Sequence, residues 1–122
     1  MFQFELAKDK KSVMKHVVAN FELALSSGIN NASYQNYYGY LLIDFNLDIK
    51  KGINLVKSAL KTTPNNIAYL DSLAWGYYKL GECKKALGIM EKIVKVTGLN
   101  DNEIKLHWEK IKNCKTNKKG KK

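Results

Sequence analysis

Apolar positions recur along most of this chain at helical spacing. Met14, Val17, Val18, Phe21 and Leu25 follow i, i+3, i+4, i+7 and i+11, and Ile49, Ile53, Val56 and Leu60 form a second stripe of the same kind. Strands are not required by any segment. Helix punctuation divides the chain: Gly28 before Asn30 and Asn31, Asp48 as an N-cap, Pro64 before Asn65 and Asn66, Leu80 and Gly81 as a stop, and Gly98 before Asn100 and Asp101. The pattern predicts an all-α protein of six helices, over roughly 10–27, 32–45, 48–62, 66–79, 83–97 and 101–113. Residues 1–9 are expected as a separate N-terminal segment and 114–122 as a disordered Lys-rich tail, flanking one helical domain over 10–113.

The chain also aligns with itself. At a shift of 35 residues, Ala24 and Leu25 fall on Ala59 and Leu60, Asn30 and Asn31 on Asn65 and Asn66, Tyr34 on Tyr69, and Tyr38, Gly39 and Tyr40 on Leu73, Ala74 and Trp75. Beyond the next turn the shift becomes 34, with Gly52 on Ala86, Val56 on Met90 and Ala59 on Ile93. One extra residue therefore sits in the turn around residues 46–48, where a helical repeat tolerates insertion.

The residues from Asn65 to Gly81, followed by Ala86, Leu87 and Met90, resemble a tetratricopeptide repeat. Leu70, Leu73, Ala74, Tyr77, Gly81, Ala86 and Met90 occupy the family's positions, while Ile93 and Gly98 replace its usual small residue and closing Pro. The preceding repeat is matched by Tyr38, Gly39, Leu42, Gly52, Val56, Ala59 and Pro64, without a turn glycine. The resemblance covers roughly residues 10–112 and implies a right-handed α-solenoid of about two and a half repeats. In it Gly39, Gly52, Ala74 and Ala86 are spacers that let helices approach, and Leu73, Tyr77 and Met90 fill the space between them.

The array is expected to be cut at both ends. Lys105, Glu109, Lys110 and Lys112 read as the polar outer face of a terminal capping helix. At the other end three outcomes stand open for helix one: Phe2, Phe4 and Leu6 fold back over it, residues 10–27 form a homodimer, or the chain is the C-terminal piece of a longer array.

Function follows from the resemblance as an expectation. The family's concave face maps here to Ser33, Asn36, Tyr37, Tyr40 and Asp44, then to Ala68, Asp71, Ser72, Trp75, Tyr78 and Lys79. Asn36, Tyr37, Tyr40, Asp71, Trp75 and Tyr78 are the expected contacts to a peptide or protein partner, Tyr and Trp supplying large area at small rotamer cost. The competing use of these aromatics is to seal packing between adjacent repeats. A carboxylate clamp is argued against, because among Ser33, Asn36, Tyr37, Tyr40, Ala68, Asp71, Ser72 and Trp75 only Asn36 suits it and none is a cation.

Chemistry is expected to be absent. His16 and His107 lie on the first and last predicted helices, and no HExxH motif, Gly-rich phosphate loop or matched carboxylate pair occurs, so neither an enzyme, a metal site nor a cofactor is expected. Cys83 and Cys114 lack CxxC partners and read as reduced thiols.

Composition changes this picture in one respect. With 122 residues, 45% of them hydrophobic and 26% charged, the chain fits one globular domain, without a run of about 18 apolar residues or a signal-peptide core. A cytoplasmic location is the resulting expectation. Net charge is +10, and all 21 cations are Lys. Residues 105–122 carry eight Lys against Glu109, leaving only +3 for the preceding 104 residues. This tail supplies the alternative to a peptide-binding scaffold: a weak, non-specific anchor to nucleic acid or another anionic surface.

Overall fold

The structure, a computed structural model, describes residues 2–28 and 31–114, with side chains described from Ser12 onward. Residues 115–122, all but the first residue of the expected disordered tail, lie outside the described residues, as do the side chains of Phe2, Phe4 and Leu6. The described chain is all-helical, with α1 (Phe2–Ser26), α2 (Ala32–Asp44), α3 (Ile49–Thr62), α4 (Ile67–Lys79), α5 (Cys83–Thr97) and α6 (Asn102–Lys112). It contains no strand among the described residues.

Two compact units divide it, Met1–Asn31 and Ala32–Lys122. In the first, α1 begins at Phe2 rather than near residue 10. Glu5, Leu6, Ala7, Lys8 and Lys10 are all good helix formers, and neither Gly nor Pro interrupts them, so nothing in the local chemistry stops the helix from extending. At its other end Ser26 and Ser27 hydroxyls both donate to the Leu23 carbonyl, and Gly28 adopts a φ of 100°.

In the second unit, successive helices pack on one another in chain order, and α4 also touches α2 and α6. Side-chain caps set several starts. Asp48 accepts from the Lys51 amide, Asn66 from the Tyr69 amide, and Asp101 from the amides of Glu103 and Ile104. The core joins Ile43 of α2, Ile53 and Val56 of α3, Leu73, Ala74 and Trp75 of α4, Ala86, Met90 and Ile93 of α5, and Ile104 and Ile111 of α6.

The α2–α3 contact depends on the absence of two side chains. A Cβ on Gly39 would lie 2.7 Å from the Gly52 carbonyl oxygen and 2.9 Å from Val56 Cγ2; one on Gly52 would lie 2.6 Å from the Gly39 carbonyl oxygen. The two backbones face each other directly. Gly76 is tight against a side chain instead, a Cβ there standing 2.6 Å from Ile53 Cγ1. Ala74 and Ala86 are fully buried.

The turns explain the change of repeat register. After α4, Gly81 has φ 84°, its amide donating to Tyr78 O and the Glu82 amide to Tyr77 O. After α2, Asn46 has φ 56°, its amide donating to Ile43 O and the Leu47 amide to Leu42 O. These are the same helix-ending motif, with Asn46 in the place of the glycine that the first repeat lacks. Leu47 is then the extra residue, because Asp48 and Glu82 are the respective N-caps.

The cysteines are not free thiols: Cys83 and Cys114 form a disulfide with a Cα–Cα distance of 5.6 Å. It ties the first residue of α5 to the chain just past α6, which brings Cys114 out of the expected tail. Sequence spacing hid this pairing, because 31 residues separate the two and only the turn between α5 and α6 returns the chain.

Gly39→Ala is expected to lower stability by about 1–3 kcal/mol, read as a fall in denaturant midpoint, since the atom it meets is backbone. Asn46→Ala is expected to lower stability by about 1–2 kcal/mol, because alanine takes the Cβ cost of the left-handed φ and loses the Asn46 Oδ1 bond to Lys79. An unchanged or raised midpoint for Asn46→Ala would contradict the turn assignment.

Candidate functional site

The even-numbered helices of the second unit bring polar and aromatic side chains together along one line. From α2 come Tyr40 and Asp44, from α4 Asp71, Trp75, Tyr78 and Lys79, and from α6 Glu103 and His107. On α4, Asp71, Trp75 and Tyr78 lie on one face by the i, i+4, i+7 rule.

Trp75 stands at the centre. Its indole N–H donates to Asp44 Oδ1 at 3.1 Å, reaching back to α2. Its ring stacks on His107 of α6, centroids 4.1 Å apart and planes 18° apart, and on Tyr78 at 4.9 Å and 20°. The Lys79 ammonium lies 5.5 Å from the same ring and donates to Asp44 O and Asn46 Oδ1, both at 3.3 Å. Trp75 is only 6% exposed.

Beneath this stack His107 Nδ1 lies 3.0 Å from both carboxylate oxygens of Asp71, and both residues are buried. Burial is the first cause that raises the Asp71 pKa above its ordinary value, and the contact with His107 opposes it. The Tyr40 hydroxyl donates to Glu103 Oε2 at 2.7 Å, and the Tyr40 ring lies 6.2 Å from that of His107. Burial, then that hydrogen bond, hold the Tyr40 phenol well above its usual range.

The six residues expected to contact a partner therefore separate. Asp71 and Trp75 are buried and satisfied within the unit. Tyr40 and Tyr78 are half-buried at the edges of the same cluster. Asn36 is half-buried with its Oδ1 lacking a hydrogen-bond partner, and Tyr37 is 61% exposed. Ser72, also on the mapped face, is buried and donates to the Ala68 carbonyl.

His107 and Glu103 were missed by sequence reasoning. A signal existed: Ile104, His107 and Ile111 follow i, i+3 and i+7, placing a histidine on the apolar stripe of α6, and all three are buried. A polar group on such a stripe needs a buried partner, and an acid one helix away supplies it. Lys105, Glu109, Lys110 and Lys112 are exposed on the remaining surface of α6.

Beside the cluster, an open cleft of about 930 Å³ runs between the end of α4 and the outer side of α6. Tyr78, Leu80 and Leu106 give it apolar walls, with Lys79, Glu109, Lys110 and Asn113 as polar groups and Cys114 at its edge. Leu106 is 52% exposed. Among the described residues no group of three His, Cys, Asp or Glu side chains is placed to hold a metal ion.

Comparison with protein-family models, with curated proteins and with solved structures finds no match. The functional reading therefore rests on the chain's own residues.

Asp71→Asn retains an acceptor for the His107 N–H, whereas Asp71→Ala leaves that donor buried and unpaired. The alanine variant is expected to lose about 1–3 kcal/mol and the asparagine variant less. Because the folded-state pKa of Asp71 is raised, its contribution is fullest at acid pH and falls as pH rises above the ordinary carboxylate value of 3.8. Denaturant titrations at several pH values should show that decline weakened in Asp71→Asn.

Proposed function

We propose that this chain is a non-catalytic, tetratricopeptide-like interaction module, a right-handed solenoid of about two and a half repeats that presents a peptide-binding surface. The repeat reading is supported by the 35- and 34-residue registers, by the matching left-handed turn residues Asn46 and Gly81, and by α4 contacting both α2 and α6 as first helices of successive repeats.

The observation that carries the binding reading is the cleft at the α4–α6 edge. It combines exposed apolar area at Leu106 with the half-buried Tyr78 ring and with donors and acceptors at Lys79, Asn113 and Glu109. A short peptide burying an apolar side chain against Leu106 and Tyr78 finds polar groups at its flanks. In this reading Tyr78 is one of the partner contacts. Asp71 and Trp75 act by holding α4 against α6 and α2, which fixes the position of the Tyr78 ring. Tyr37, Tyr40 and Asn36 lie on α2 and extend the candidate surface away from this edge.

Peptides selected from a display library on the wild-type chain are expected to lose at least about tenfold in affinity for Leu106→Asp. The melting midpoint of that variant should be nearly unchanged, as Leu106 is half-exposed. Trp75→Ala should instead lower stability by about 3–5 kcal/mol. Full retention of peptide affinity by Leu106→Asp would remove the cleft from the binding surface.

A further inference from the structure

Charge is divided unevenly between the helices of the second unit. In α2, α4 and α6 together, Asp44, Asp71, Glu103 and Glu109 are matched by Lys79, Lys105, Lys110 and Lys112. By contrast, α3 carries four Lys and no acid, and α5 carries four Lys against Glu91 alone. All eight of these lysines are exposed.

Their placement follows the repeat. At the 34-residue shift Lys50 falls on Lys84, Lys51 on Lys85 and Lys61 on Lys95. The two helices meet at one seam of this surface, because the Lys57 ammonium of α3 and the Lys85 ammonium of α5 both lie over the Tyr77 ring, at 5.9 and 5.3 Å from its centroid, with Lys50 and Lys61 on the Lys57 side of α3 and Lys92 on the Lys85 side of α5 by helical spacing. Glu82, the N-cap of α5, pairs with Lys85 at 3.1 Å and neutralises one charge at the edge. Val96, 75% exposed, stands four residues beyond Lys92 and eleven beyond Lys85, on the same side of α5.

We infer that the outward face of α3 and α5 is a docking surface for an anionic phospholipid bilayer. Lys side chains carry compact charges on flexible stems that follow a headgroup layer, and Val96 offers apolar area among them. Nucleic acid is the poorer fit. Arg is absent from the chain, and Tyr77, the aromatic residue of this face, lies beneath two ammonium groups rather than free to stack on a base. This surface is separate from the α4–α6 cleft.

The test is co-sedimentation of the full chain with phosphatidylcholine vesicles, with and without phosphatidylglycerol, at rising salt. Binding is expected only to the anionic vesicles and is expected to weaken with salt. The triple variant Lys50→Gln, Lys61→Gln, Lys92→Gln should lower the partition coefficient about a hundredfold, at roughly fivefold per lysine. The triple variant Lys105→Gln, Lys110→Gln, Lys112→Gln has the same net charge and should stay within about fivefold of wild type. Both change only exposed side chains, and circular dichroism checks that they fold. Equal losses in the two variants, no binding to anionic vesicles, or tighter binding to random-sequence duplex DNA would each overturn the assignment.

Discussion

A buried indole nitrogen must find an acceptor, and in this protein that requirement joins three helices. Trp75 lies in the core with its N–H bonded to Asp44 of α2, while its ring rests on His107 of α6. His107 in turn is bonded to Asp71, one turn before Trp75 on α4. Rotating or translating α4 relative to either neighbour would break a hydrogen bond and open an aromatic stack at once. Buried polar networks of this kind are costly when incomplete and specific when complete. The disulfide adds a covalent hold on the same end of the unit, joining the start of α5 to the end of α6.

The other determinant of packing is the close approach of backbones at Gly39 and Gly52, with Gly76 tight against the Ile53 side chain and the buried alanines small as well. Small residues bring α2, α3 and α4 near enough for Ile43, Ile53 and Val56 to interlock. Together, the two devices divide labour between the helices. The even-numbered helices turn polar groups toward one another, through the Trp75 indole with the Asp44 carboxylate, Lys79 with the Asp44 backbone carbonyl, Asp71 with His107, and Glu103 with Tyr40. The lysines of α3 and α5 are exposed, Lys85 pairing with Glu82 and lying with Lys57 over the Tyr77 ring. The proposed cleft and the proposed basic face thus lie on different elements, and a variant at one should leave the other in place.

Much of the fold was legible in the sequence because helices report themselves through spacing and caps. The stripe of α3, the cap Asp48, the breaks before Asn66 and Asp101, and the extra residue between α2 and α3 all follow from local chemistry, which acts between residues a few positions apart. The start of α1 was not legible, since no punctuation marks residue 10 and the preceding residues favour helix as well. Asn46 was hidden for a related reason: it can replace glycine in a left-handed turn, but its sequence does not announce that it does.

The candidate site divides along the same line. Sequence periodicity by itself determined that Asp71, Trp75 and Tyr78 share a face of α4, because that is a property of one helix. Only the tertiary structure decided that Asp71 and Trp75 are buried while Tyr78 borders a cleft, that His107 is their partner, and that Cys83 meets Cys114. Each of those outcomes depends on which side chain of a distant helix arrives opposite. Residues more than thirty positions apart share no local spacing rule, and their meeting is set by how closely the small residues let the helices approach.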